Sequence, residues 1–256
     1  MSKSKYNDQQ ATYQDLYDKL KSMRFSGMAE ELRLQQADPN QDAYDFIDRL
    51  SKLVNAEWDL RYNKKFMRML RQSHIIITEA SFDESLYDPE RQLDRTLIET
   101  ICRCDWIETG KNLLLTGMTG TGKSYFASAL GIAVLKKLRT VRYCKASKLL
   151  TELTALRQSE EYRKLTQTME TLSKIELLII DDFELMDLDI EKCRYLFEIL
   201  DSREGRLSTI VVSQIPVKDW YDLFHDHTYA DACLDRLVYN AYRIEFKGES
   251  LRKKTP

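Results

Sequence analysis

The sequence predicts an α/β protein, a five-stranded parallel sheet preceded by a small all-α domain. Three observations lead there. Short apolar runs at 112–116, 140–144, 175–181, 208–213 and 242–246 alternate with helical stretches, the pattern of strands covered on both faces by crossover helices. The first third of the chain has no such runs and places its apolar residues at helical spacing instead. Between the first strand and its helix lies a turn with three glycines, Gly117, Gly120 and Gly122.

Taken in order, residues 13–36 carry Leu16, Leu20, Met23, Met28, Leu32 and Leu34, with Gly27 interrupting the pattern, and Asp38, Pro39 and Asn40 then break the helix. A second helical stretch runs from Gln41 to about Ser73, with an apolar stripe of Phe46, Leu50, Leu53, Val54, Phe66, Met69 and Leu70. Arg61, Lys64, Lys65, Arg68 and Arg71 fall on one face of it, either as a solvated face or as a row that contacts phosphates. Asp88, Pro89 and Glu90 mark a further helix start, and that helix carries Leu93, Leu97, Ile98 and Ile101 above Trp106. The expected division is a helical domain over 1–75 and the sheet domain over 76–256.

Bulk composition narrows the class. Formal net charge is −2 over 256 residues, so no general basic field attracts nucleic acid, although a local patch still can. No apolar run reaches membrane-spanning length and the polar start is no signal peptide, which together predict a cytoplasmic protein. The five cysteines are scattered, and Cys102 and Cys104 lack partners at zinc spacing, so reduced thiols are expected.

The glycine turn carries the chemistry. Residues 117–124 read GMTGTGKS, the G-x-x-x-x-G-K-[ST] pattern of a nucleoside triphosphate phosphate loop. Its glycines let backbone N–H groups of Gly117, Met118, Thr119, Gly120, Thr121 and Gly122 turn inward, and the helix entered through Lys123, Ser124 and Tyr125 adds its positive end. Lys123 is expected at the β and γ phosphates and Ser124 at Mg²⁺. The apolar strand ending in Asp181 and Asp182 supplies the acidic half: Asp181 holds the metal and Asp182 orients or deprotonates the attacking water. Ser213 or Gln214, at the end of the fourth strand, senses the γ phosphate; the spacing leaves open which. Arg236 and Arg252 are read either as surface arginines or as guanidinium groups that neutralise phosphate charge.

Six blocks together resemble the IstB-type ATPases, transposition helpers of insertion sequences related to DnaC-type helicase loaders within the AAA+ class. They are residues 20–32 (LKSMRFSGMAEEL), Leu93 to Glu108, the loop at 114–124, LIIDDF at 178–183, SQIPV at 213–217, and 235–253. The resemblance implies a metal role for Asp181, a catalytic acid in Asp182, a sensor at Ser213 or Gln214, an arginine finger acting in trans at Arg236, and a second sensor at Arg252. Asp182 stands where the wider class uses glutamate, which implies slow hydrolysis. Only four residues follow Arg252, so a reduced or absent helical lid is expected.

A finger in trans requires head-to-tail contact between copies of the chain, giving a homo-oligomer bolted by ATP. The expected partners are duplex DNA and, through the N-terminal helices, a transposase. Candidate DNA contacts are the Arg61 to Arg71 row and Lys145, Lys148, Arg157, Arg163 and Lys164 between the second and third strands. The rival reading is a helicase loader working on single-stranded DNA.

Overall fold

Each apolar run becomes a strand within two residues of its expected bounds. The strands of this computed structural model, which describes residues 3–40, 43–82, 93–248 and 250, are β1 (Asn112–Gly117), β2 (Val141–Lys145), β3 (Leu177–Asp181), β4 (Ser208–Ser213) and β5 (Ala241–Phe246). All pair in parallel, in the order β2-β3-β4-β1-β5. β3 and β4 are buried at every residue, as central strands sandwiched between helices must be, whereas β5 at one edge exposes Arg243 and Glu245. The chain divides into two compact units, Met1–Arg68 and Met69–Pro256.

In the second unit the helices are α4 (Arg95–Cys102), α5 (Lys123–Lys136), α6 (Ala146–Gln158), α7 (Tyr162–Leu172), α8 (Ile190–Arg203) and α9 (His227–Val238). Asp94 caps α4 by accepting the N–H groups of Thr96 (2.9 Å) and Leu97 (3.3 Å). Ile98, Ile101 and Trp106 are buried below it, and the Trp106 indole donates to Ile101 O at 3.0 Å. The helix start expected at Asp88, Pro89 and Glu90 lies outside the described residues. Gly131 in α5 gives Ile75 and Ile179 room to approach the helix; a Cβ there would lie 2.9 Å from Ile75 Cδ1.

One core residue has no precedent in the hydropathy pattern. Arg203, 1 % exposed, ends α8 and donates to Leu172 O (2.6 Å), Ile175 O (2.7 Å), Ser208 O (2.5 Å) and Thr209 Oγ1 (3.1 Å). It thereby joins the end of α7 and the entry to β3 to the start of β4. Burial pulls its pKa down to about 10, so it remains charged at neutral pH while neutral oxygens satisfy it.

The first unit consists of α1 (Lys3–Ser22), α2 (Ser26–Ala37) and the first part of α3 (Phe46–Ser73). The break between α1 and α2 falls at Arg24, in the left-handed region at φ 64°, and not at Gly27 as the pattern suggests. Gly27 lies in the first turn of α2 for another reason: a Cβ there would sit 2.5 Å from Ala56 O on α3. Glu57, also on α3, accepts the Gly27 N–H at 2.7 Å and so caps α2 from a neighbouring helix. Phe46, Leu50 and Val54 of the expected apolar stripe are exposed.

Candidate functional site

A parallel sheet collects its ligand-facing groups where the strands end, and here four strands end together. Thr116 on β1 is level with Ser213 on β4, and Lys145 on β2 is level with Asp181 on β3. The phosphate loop leaves β1 with positive φ at Gly117 (137°), Gly120 (83°) and Gly122 (94°). Two of these positions also admit no side chain: a Cβ would meet Phe246 O at 2.2 Å from Gly117 and Ser250 Oγ at 2.0 Å from Gly120. The segment after β5 therefore lies against the loop, although Arg252 itself lies outside the described residues.

Lys123 is 6 % exposed and donates to Gly117 O (2.5 Å) and Met118 O (2.8 Å), so the loop's own carbonyls hold it. Thr121 Oγ1 closes the loop on Met118 O at 2.8 Å. Met118 and Thr119 are exposed at its tip. The start of α5 is packed rigidly behind it: Phe126 sits between Phe82 (6.0 Å) and Phe246 (5.6 Å), and the Tyr125 hydroxyl accepts the Ser81 N–H at 3.3 Å.

The acidic pair is held from β2. Asp181 is 4 % exposed; its Oδ1 accepts the Asp182 N–H at 2.9 Å and its Oδ2 accepts the Tyr143 hydroxyl proton. Burial, together with the neighbouring Asp181, raises the Tyr143 pKa, so the phenol stays protonated. Asp182 turns out of β3 at φ 55°, and its Oδ2 lies 2.6 Å from Lys145 Nζ. That bond, with the negative charge of Asp182, raises the Lys145 pKa and holds the ammonium charged. The Ser124 hydroxyl at the start of α5 and the Asp181 carboxylate at the end of β3 are hard oxygen donors, a donor set that suits Mg²⁺.

Gln214 bridges to the loop, because its Oε1 accepts from Thr119 Oγ1, while its N–H donates to Glu184 Oε2 at 3.0 Å. Ser213 is 1 % exposed, and its hydroxyl oxygen accepts the Ile215 N–H at 3.3 Å. No local sequence signal points to Tyr143, Glu184 or Ser250, and Lys145, an expected DNA contact, lies against the acidic pair. Tyr143 and Lys145 alternate on one face of β2, a period-2 signal that gains meaning only once β2 is known to lie beside β3.

Arg236 is elsewhere. Its guanidinium binds Asp201 Oδ1 (3.0 and 2.6 Å) and Glu204 (3.4 Å) and lies 4.6 Å from the Phe197 ring. Its carbonyl accepts from Asn112 Nδ2 at 2.9 Å, which fixes this part of α9 at the first residue of β1. At ~3.3 Å per residue, the length of β1 puts that point roughly 16 Å from the phosphate loop.

The expected DNA contacts differ in their surroundings. Arg61 is bonded to Glu57 at 2.6 Å, Arg157 lies 3.3 Å from Glu191, and Lys164 pairs with Glu161. Lys64, Lys65, Arg68 and Arg71 are exposed on α3, as are Lys148 on α6 and Arg163 on α7. The five thiols form no disulfide, and burial pushes Cys102 up to about 11 and Cys104 and Cys233 up to about 12. Among the described residues no helix is long and apolar enough to cross a membrane.

A family model for IstB-like ATP binding proteins matches residues 18–256. The chain belongs to this family. A putative insertion sequence ATP-binding protein of Sinorhizobium fredii is 38 % identical over 236 residues, covering 92 % of this chain and 95 % of the relative. The putative ATP-binding protein of insertion sequence IS1162 from Pseudomonas fluorescens is 33 % identical over 79 % of this chain and 87 % of its own length. Among solved structures, the DnaC helicase loader superposes with a TM-score of 0.52 at 19 % identity, over 70 % of this chain and 98 % of the loader, and DnaI with 0.52 at 20 %, over 67 % and 93 %. These likenesses carry the AAA+ fold; the insertion-sequence association comes from the closer relatives.

Proposed function

We propose that this IstB-family chain is an ATPase that assembles head-to-tail on duplex DNA in its ATP-bound form and delivers that DNA to a transposase. ATP lies over the 117–124 loop, with Lys123 at its phosphates. Mg²⁺, held by Ser124 and Asp181, would neutralise charge on the phosphate oxygens. Asp182 positions the attacking water. Gln214, already turned onto Thr119, fits the γ-phosphate sensor better than Ser213, whose hydroxyl is buried on Ile215. Because an aspartate is one methylene shorter than the usual glutamate, turnover is slow and hydrolysis acts as a release switch. The N-terminal helices dock the transposase, and Arg252 completes the nucleotide site.

The observation that carries the assembly is the position of Arg236. Tied to the start of β1, it is far from the phosphates of its own subunit, so it serves a nucleotide only across a contact with a second copy. The insertion-sequence relatives, matched over nearly the whole chain, favour a transposition helper over a helicase loader.

Sedimentation of the full chain with duplex or single-stranded DNA, each with ATP, ADP or no nucleotide, tests the proposal. Large complexes are expected on duplex with ATP alone, and Arg236→Ala should abolish them. A chain that stays small on duplex in every nucleotide state overturns the reading.

A further inference from the structure

We propose that Glu184 is a positioning residue for discrimination between ATP and ADP: its carboxylate fixes the backbone of Gln214 so that the Gln214 side chain reaches the phosphate loop. This rests on the reading of Gln214 as the γ-phosphate sensor and adds to it a residue with no phosphate-binding signature of its own.

Gln214 is the first residue beyond β4, whose pairing with β1 ends at Thr116 and Ser213, so the sheet no longer holds its backbone. Glu184 Oε2 accepts the Gln214 N–H there at 3.0 Å, and the Gln214 side chain crosses to Thr119 at the tip of the loop. A charged acceptor on a backbone N–H makes a stronger bond than a neutral one. The two ends of the Gln214 amide are also assigned: Oε1 accepts from the Thr119 hydroxyl, which leaves the NH2 end as the donor for a phosphate oxygen. Neighbouring residues hold this arrangement still. Phe183, beside Glu184, is fully buried and packs on Trp220 with ring centroids 4.8 Å apart. The Trp220 indole donates to Ile215 O at 3.2 Å, and Ser213 Oγ accepts the Ile215 N–H at 3.3 Å. The turn after β3 and the turn after β4 are thus braced against each other, and the bond from Gln214 to Glu184 is a polar tie between them. The other carboxylate oxygen, Glu184 Oε1, is shut off from solvent with no hydrogen-bond partner among the described residues. Burying an acceptor without a partner opposes folding, so stability alone does not account for a glutamate here.

The test is binding of a non-hydrolysable ATP analogue and of ADP to the full chain, with Mg²⁺ and without DNA. Glu184→Met keeps the length of the side chain and removes the acceptor. Affinity for the ATP analogue should fall about tenfold, the worth of one hydrogen bond to phosphate, while ADP affinity stays within about twofold of the parent. Glu184→Gln keeps an acceptor oxygen and should leave both affinities near those of the parent. In a Gln214→Ala background, Glu184→Met should add less than about a twofold loss, because the side chain it positions is gone. An equal loss for both nucleotides overturns the proposal, as does an unchanged ratio of the two affinities. A full additional loss in the Gln214→Ala background, or a Glu184→Gln chain as impaired as Glu184→Met, overturns it too. If Glu184→Met fails to fold, Glu184→Ala is held to the same outcomes. A Gln214→Ala chain with the parent's ratio sinks the sensor reading itself, which separates that failure from a failure of Glu184.

Discussion

Lys145 shows how a single side chain can take one reading from its sequence neighbours and another from its spatial ones. Its place among lysines and arginines between the second and third strands suggests DNA, but its ammonium lies 2.6 Å from Asp182 Oδ2. If Asp182 is the group that takes a proton from water, an ammonium on one of its oxygens weakens it as a base. Lys145→Met is therefore expected to raise ATP turnover about threefold or more. Duplex affinity and its salt dependence should stay unchanged, since a lysine engaged with Asp182 releases no counterion from DNA. Steady-state hydrolysis and a salt titration of DNA binding check both halves; reduced turnover together with a smaller salt slope would return Lys145 to the DNA face. The residues that could be read beforehand, Lys123, Ser124, Asp181 and Asp182, belong to patterns in which spacing along the chain is itself the geometry. Tyr143, Glu184 and Arg203 act across strands or helix ends, where sequence separation carries no such information.

At the scale of elements, the N-terminal helices turn on Gly27 and Glu57. α2 begins at Ser26 with no side-chain cap of its own, and Glu57 supplies one from α3 through Gly27 N (2.7 Å) and Met28 N (3.4 Å). Burial pushes the Glu57 carboxyl up, but Arg61 and these two N–H groups outweigh it and hold the pKa below the ordinary 4.5. A carboxylate depressed on folding stabilises above its unfolded value, and that stability is lost as pH falls through the lowered folded value. Backbone exchange protection over 26–37 should thus hold at pH 6 and fall once the pH drops below about 4.5. Glu57→Gln should show the low-pH level already at pH 6, a loss of about 1–3 kcal/mol. Protection in Glu57→Gln equal to the parent at pH 6 would rule out the cap. The sequence marked Gly27 as a break because glycine weakens helices; its use here is close approach, which depends on a partner helix that no local pattern reveals.

For the whole molecule, a net charge of −2 means that DNA can be held only by a local face multiplied through assembly. The expected row on α3 loses Arg61 to the Glu57 cap, which leaves Lys64, Lys65, Arg68 and Arg71 exposed on one side of the helix. Contacts of this type neutralise phosphates without reading bases, so their contribution appears in the salt dependence and is the same for any duplex sequence. Each phosphate contact contributes about 0.9 to the slope of log affinity against log salt, so the combined Lys64→Ala, Lys65→Ala and Arg68→Ala chain should lose about 2.7. The loss should be equal on unrelated duplexes, and ATP binding without DNA should be unaffected. Arg61→Ala serves as the contrast: it should leave the slope nearly intact while lowering α2 protection, because its guanidinium works inside the fold. If the triple variant keeps the parent slope, the α3 row is only a solvated face. DNA contact would then fall to Lys148 and Arg163, which α6 and α7 expose between β2 and β3.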